Sequence, residues 1–133
     1  MNFFKSNNKH ALNKQPIDWN SLNSASQLDF ILKASIQSPI ILFKHSTRCI
    51  ISKMALKNLE SQALTSSTNQ IDTAKFYIID VIKHREVSNL ITEKLKIVHQ
   101  SPQVLLIKNQ QVTYHSSHEN IHWNNISNSI NKP

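Results

Sequence analysis

The chain has 133 residues and a formal charge of +7, and its 39% apolar and 17% charged residues are the balance of a folded globular protein. That length suits one domain over residues 1–133, and no run approaches the roughly 18 consecutive apolar residues of a membrane-spanning helix, so no membrane partner is expected. The fifteen Lys and Arg residues are scattered, with no block of like charge and little aromatic interleaving for base stacking, so no nucleic-acid partner is expected either.

Met1 to Gln15 is basic and lacks the apolar segment of a signal peptide. It reads as a poorly packed extension of a cytoplasmic protein. Ile17-Asp18-Trp19 is a candidate edge strand. Leu28, Ile31, Leu32 and Ile36 recur at helical spacing behind Ser24 and Ser26, which predicts a helix over Ser26 to Gln37, stopped by Pro39. Ile40-Ile41-Leu42-Phe43 is a continuous apolar run, the pattern of a strand covered on both faces. After the polar stretch Lys44 to Arg48, residues Ile51, Met54, Ala55 and Leu59 fall at i, i+3, i+4 and i+8. A helix from near Cys49 to about Leu64 follows from that spacing, and Thr65 to Thr73 reads as a loop. Phe76 to Val81 is a second buried strand, and Val87, Leu90, Ile91 and Leu95 mark another helix. Val104 to Ile107 and Val112 to Tyr114 form an expected hairpin around Asn109-Gln110-Gln111. The chain has no glycine, so asparagine is expected where a turn needs positive φ. Trp123, Ile126 and Ile130 predict a last amphipathic helix. Strands and helices alternate, the signature of an α/β domain.

The lack of glycine also removes Gly-rich phosphate loops and dinucleotide fingerprints. A lone cysteine excludes an internal disulfide and suits a reducing compartment. Cys49 stands between a buried strand and a helix start, where unpartnered N–H groups and the helix dipole favour an anion. Lys44, His45, Arg48, Lys53 and Lys57 lie near it in sequence, with no acidic residue between Asp29 and Glu60. Such surroundings favour the thiolate, the nucleophilic form. Ser52 lies one turn along the same helix, placed to donate a hydrogen bond to the sulfur. The resulting C-x-x-S site predicts monothiol chemistry, because any mixed disulfide must be cleared by a thiol from another molecule. His45 is a candidate proton acceptor or a source of positive potential.

The run Phe43-Lys44-His45-Ser46-Thr47-Arg48-Cys49-Ile50-Ile51-Ser52 resembles the signature of the bacillithiol-system redox-active proteins, the YtxJ family of monothiol bacilliredoxins. Ser101-Pro102-Gln103-Val104 and His115-Ser116-Ser117-His118 extend the resemblance, which spans about Trp19 to Trp123. It implies a thioredoxin-like fold with a mixed four- or five-stranded sheet flanked by helices, in the order β-α-β-α-β-α-β-β-α. The implied activity is attack by Cys49 on mixed disulfides between bacillithiol and client proteins, with Ser52 supporting the thiolate and free thiols later reducing the adduct. Bacillithiol is then a co-substrate, with no bound cofactor. Pro102 matches the family's cis-proline and, with Ser101, Thr47, Arg48 and His45, would line the substrate groove. One departure is Ile50, where the family usually has proline, a residue suited to the first turn of a helix. A non-catalytic adaptor that uses the same groove to hold a partner is the alternative function.

His118-Glu119-Asn120-Ile121-His122 spells H-E-x-x-H, which on one helix presents two zinc ligands. Here it straddles the end of the hairpin and the start of the last helix, and no third ligand follows it, so no metal site is expected.

Overall fold

The computed structural model describes residues 17–67 and 70–133. In chain order the elements are β1 (Asn20–Ser21), α1 (Ala25–Ala34), β2 (Ile40–His45), α2 (Ile50–Thr65), β3 (Lys75–Asp80), α3 (Arg85–Leu95), β4 (Gln103–Lys108), β5 (Gln111–Ser117) and α4 (Trp123–Ile130). Short 3-10 turns occupy Gln70–Thr73 and His118–Asn120. The five strands form one sheet in the order β1-β3-β2-β4-β5. β1, β3 and β2 run parallel, while β4 is antiparallel to β2 and to β5. This is the mixed α/β arrangement expected from the sequence. The expected extension over Met1 to Gln15 lies outside the described residues.

Strand periodicity divides the core into two layers. Ile41 and Phe43 point to the face covered by α2 and α4, where they join Leu59, Ala63, Trp123, Ile126 and Ile130. Ile40 and Leu42 point the other way, against Leu28 and Ile31 of α1 and Val87 and Ile91 of α3. Successive side chains on a strand alternate faces, so a continuous apolar run is what a sheet covered on both sides requires. All six residues of β2 are buried.

Local chemistry sets the helix bounds. Ser24 caps α1 by accepting the Gln27 N–H at 3.2 Å. The helix stops at Ala34, before the expected Gln37, because the chain tightens there: Ile36 and Gln37 donate to the carbonyls of Lys33 and Ala34. Lys108 donates to the Ile130 and Lys132 carbonyls at 2.8 and 2.6 Å, placing positive charge at the C-terminal end of α4.

Two expectations need correction. The edge strand falls at Asn20–Ser21 instead of Ile17 to Trp19. Ile17 is buried in the core and Trp19 packs its ring edge-on to Phe43 and Phe76, at 5.9 and 5.5 Å. Left-handed backbone is taken by Lys96, Asn109, Gln110 and His118, so asparagine fills one of these four positions. The hairpin turn contains two of them. Its Asn109 and Gln110 N–H groups bond Ser35, at the carbonyl and the hydroxyl oxygen. No helix among the described residues is long and apolar enough to cross a membrane.

Candidate active site

β2 delivers its last residue, His45, to one end of the sheet, and Ser46-Thr47-Arg48 turns the chain into α2. The turn is closed by the Cys49 N–H donating to the Ser46 carbonyl at 3.2 Å. Cys49 is the N-cap of α2, extended at φ −103° and ψ 121°, and its carbonyl accepts the Lys53 N–H at 3.1 Å. Its side chain makes no capping bond. Cys49 is half-buried at the helix start, where the first turn of any α-helix leaves N–H groups without intrahelical partners. The first turn of α2 holds no acidic residue, and Arg48 and Lys53 are exposed around it.

The Ser52 hydroxyl, expected to face the sulfur, is engaged elsewhere. Ser52 is fully buried, its Oγ accepts the Ser46 N–H at 3.1 Å, and it lies 2.6 Å from His45 Nδ1. His45 is 7% exposed, with its ring edge-on to Phe43 at 5.8 Å. Burial pushes its pKa below 6.5, against the pull of the Asp80 carboxylate and with the push of Lys53.

Asp80 is a site residue that the sequence reading passed over. Parallel pairing of β2 with β3 sets Asp80 opposite His45, although the two are far apart in the chain. Its Oδ1 accepts the Ile82 and Lys83 N–H groups at 3.0 Å each, and its Oδ2 accepts the Thr47 hydroxyl at 3.2 Å. These donors, Lys83 first, hold its pKa below 3.8 in spite of some desolvation. Thr47 is exposed yet tethered by this bond. Asp80→Ala is expected to destabilise the fold by about 1 kcal/mol at neutral pH, read by urea unfolding. A depressed carboxyl pKa stabilises above the unfolded value, so the difference should shrink as pH falls below 3.8.

Lys44 is not part of the cationic surroundings assigned to it. Strand alternation turns it to the α1–α3 side with Leu42, away from α2, and it is 0% exposed with no partner for Nζ among the described residues. Burial alone lowers its pKa to about 8. The apolar spacing of α2 also takes a different outcome. Leu59 and Ala63 are buried, whereas Ile50, Ile51 and Met54 are 71%, 57% and 58% exposed beside Cys49. Ile51 and Met54 line a groove of about 320 Å³ with Ala55, His118, Ile121 and His122.

Ser101-Pro102 is a cis peptide bond. Gln103 pairs with Lys44 across the β2–β4 ladder, so Pro102 lies at the end of the sheet from which the Cys49 turn emerges. Pro102 is buried and its carbonyl accepts the His118 N–H at 3.1 Å, joining the start of β4 to the end of the hairpin. The structure therefore brings His45, Thr47, Cys49, Ser52 and Pro102 to one end of the sheet. Arg48 projects from the same turn. The H-E-x-x-H string is split between a 3-10 turn and the N-cap of α4, His122. No group of three metal-ligating side chains occurs among the described residues.

A family model described as monothiol bacilliredoxin BrxC matches residues 20–126. Among solved structures, a protein whose description gives it a thioredoxin fold superposes with a TM-score of 0.68 at 21% identity, over 82% of this chain and 90% of its own. Thioredoxin from Trypanosoma brucei brucei gives 0.65 at 16% identity, over 86% and 89% of the two chains. Thioredoxin from Fasciola hepatica gives 0.63 at 16% identity, over 84% and 95%. At such identities these likenesses establish the fold, which is thioredoxin-like.

Proposed function

Because the chain belongs to the monothiol bacilliredoxin family, we propose that it is a thiol-disulfide oxidoreductase that removes bacillithiol from protein mixed disulfides. The Cys49 thiolate attacks the bacillithiol sulfur of a modified client. That S–S bond breaks, the client sulfur leaves as a thiolate and takes up a proton, and a new disulfide joins Cys49 to bacillithiol. With one cysteine in the sequence, no internal thiol resolves this adduct. A second low-molecular-weight thiol attacks it, carries bacillithiol away as a small disulfide, and returns Cys49 to the thiolate. The setting proposed is a reducing cytoplasm, and no bound cofactor, metal, nucleic acid or membrane takes part.

The observation that carries this reading is the sulfur's place: half-buried at the N-cap of α2 and free of any capping bond. Unpartnered N–H groups there stabilise the charged nucleophile. Ile50 at the first helical position keeps an N–H that proline would lack, adding one donor at this end. Ser52 supports the turn from beneath, while Thr47, Arg48, His45, Ser101 and Pro102 shape the groove that receives the disulfide. The test is to mix the reduced protein with a bacillithiolated client and weigh both intact. The expected result is one bacillithiol gained at Cys49 and lost from the client. Unchanged masses with retained binding would make the protein an adaptor instead.

A further inference from the structure

We infer that Thr47 is a specificity-determining residue: with its hydrogen held by Asp80, its hydroxyl oxygen serves only as an acceptor and selects disulfides that carry an amide N–H beside the attacked sulfur. The inference rests on Cys49 being the reacting group and adds a preference to that same site. A threonine hydroxyl has one hydrogen to give and two acceptor positions. The Thr47 hydrogen goes to Asp80 Oδ2 at 3.2 Å, and the direction of this bond is fixed because an ionised carboxylate has no hydrogen to return.

Asp80 is itself held in place. Its Oδ1 accepts the Ile82 and Lys83 N–H groups at 3.0 Å each, and its carbonyl accepts the His84 N–H at 2.9 Å, so turning the carboxylate away from Thr47 would break these bonds to Oδ1. The same donors keep the group ionised throughout the neutral range. Thr47 is exposed, and among the described residues no donor reaches its oxygen. Its acceptor positions are therefore open to a ligand. Giving the hydrogen to a charged group also polarises the hydroxyl, which makes the oxygen a stronger acceptor.

Thr47 stands two residues before Cys49, a span of at most about 7 Å along the chain, so its oxygen is in range of a substituent close to the attacked sulfur. Both belong to the turn that the Cys49 N–H closes on the Ser46 carbonyl. Neighbouring charges narrow the choice of donor. Arg48 is exposed on the same turn and Lys53 in the first turn of α2, so a ligand ammonium is repelled where a neutral amide N–H is not. A cysteine in peptide or other amide linkage carries such an N–H near its sulfur.

The probes are mixed disulfides of thionitrobenzoate with N-acetylcysteine methyl ester and with its N-methylated counterpart, which differ in that N–H alone. Cys49 attacks the aliphatic sulfur, the S–S bond breaks, thionitrobenzoate leaves as its absorbing thiolate, and a new disulfide joins Cys49 to the ester. Each rate is divided by that of free cysteine with the same probe, and the ratio between probes is the readout, with no bacillithiol or client involved. Wild type should favour the N–H probe by about fivefold, the size of one hydrogen bond, and Thr47→Val should bring the ratio to about one. In Asp80→Asn the carbonyl oxygen still serves the Ile82 and Lys83 N–H groups, which turns the amide nitrogen to Thr47. That nitrogen donates, frees the threonine hydrogen, and should lower the ratio to about two. A second measurement needs no variant: in the wild-type adduct with the N–H probe, the acetamide proton should exchange with water about fivefold more slowly than in the free probe. Equal rates for the two probes in wild type, an unchanged ratio in either variant, or an acetamide proton that exchanges freely in the adduct would overturn the inference and leave the thiol reaction standing. No release from either probe would overturn the oxidoreductase reading as well.

Discussion

Cys49→Ser is expected to abolish bacillithiol transfer, to the level of the uncatalysed exchange, while leaving the fold intact. A serine hydroxyl is not ionised at neutral pH and does not displace a disulfide sulfur, so no partial activity is expected. The fold should survive because Cys49 is half-buried and its side chain holds nothing in place. Serine is also a better N-cap than cysteine, and α2 lacks a side-chain cap, so thermal stability should be equal or higher by up to about 1 kcal/mol. Loss of transfer in a variant that melts no lower than wild type is the signature of removed chemistry. Residual transfer would place the reacting group elsewhere, and the monothiol assignment would fail.

Lys44→Met should have the largest effect on stability, and in the stabilising direction. The ammonium is fully buried without a partner among the described residues, and its pKa falls from 10.5 to about 8. Below pH 8 both the folded and the unfolded chain hold the proton, and the folded state bears the whole cost of desolvation. Between pH 8 and 10.5 the unfolded chain binds the proton more strongly, so wild-type stability climbs with pH across that window. Methionine has a similar length and no charge. After discounting for relaxation around a buried ion, the gain at pH 7 should be about 2 kcal/mol, fading as pH rises toward 10.5. Urea unfolding at pH 7 and at pH 10.5 measures both numbers. A variant no more stable than wild type at pH 7 would mean that the ammonium has a partner after all.

Much of this architecture was legible because it rests on periodicity, which is local. The run Ile40 to Phe43 announced a central strand, and the Trp123, Ile126 and Ile130 spacing announced α4. The order of strands and helices follows from these signals. The F-K-H-S-T-x-C-x-I-S resemblance also carried the cis bond at Ser101-Pro102, which spacing alone does not reveal. What stayed hidden depends on contacts between distant segments. Asp80 reaches Thr47 only because β3 pairs in parallel with β2. The burial of Lys44 depends on which face of β2 each helix covers. Ile51 and Met54 fit a helical apolar stripe, yet α2 buries Ser52, Leu59 and Ala63 and leaves Ile51 and Met54 exposed. The left-handed residues Lys96 and His118 are likewise imposed by tertiary geometry: the first ends α3, and the second bonds Pro102. Lysine in particular does not announce such a backbone.

β2 is flanked by β3 on one side and β4 on the other, with two layers of helix above and below. A strand so enclosed is among the last segments of a protein to open, since freeing it means dismantling both cores. The turn that carries Cys49 thus leaves the end of a strand that resists opening. Under the proposed activity, clients whose modified cysteine lies in a loosely structured segment should therefore react faster than well-packed ones.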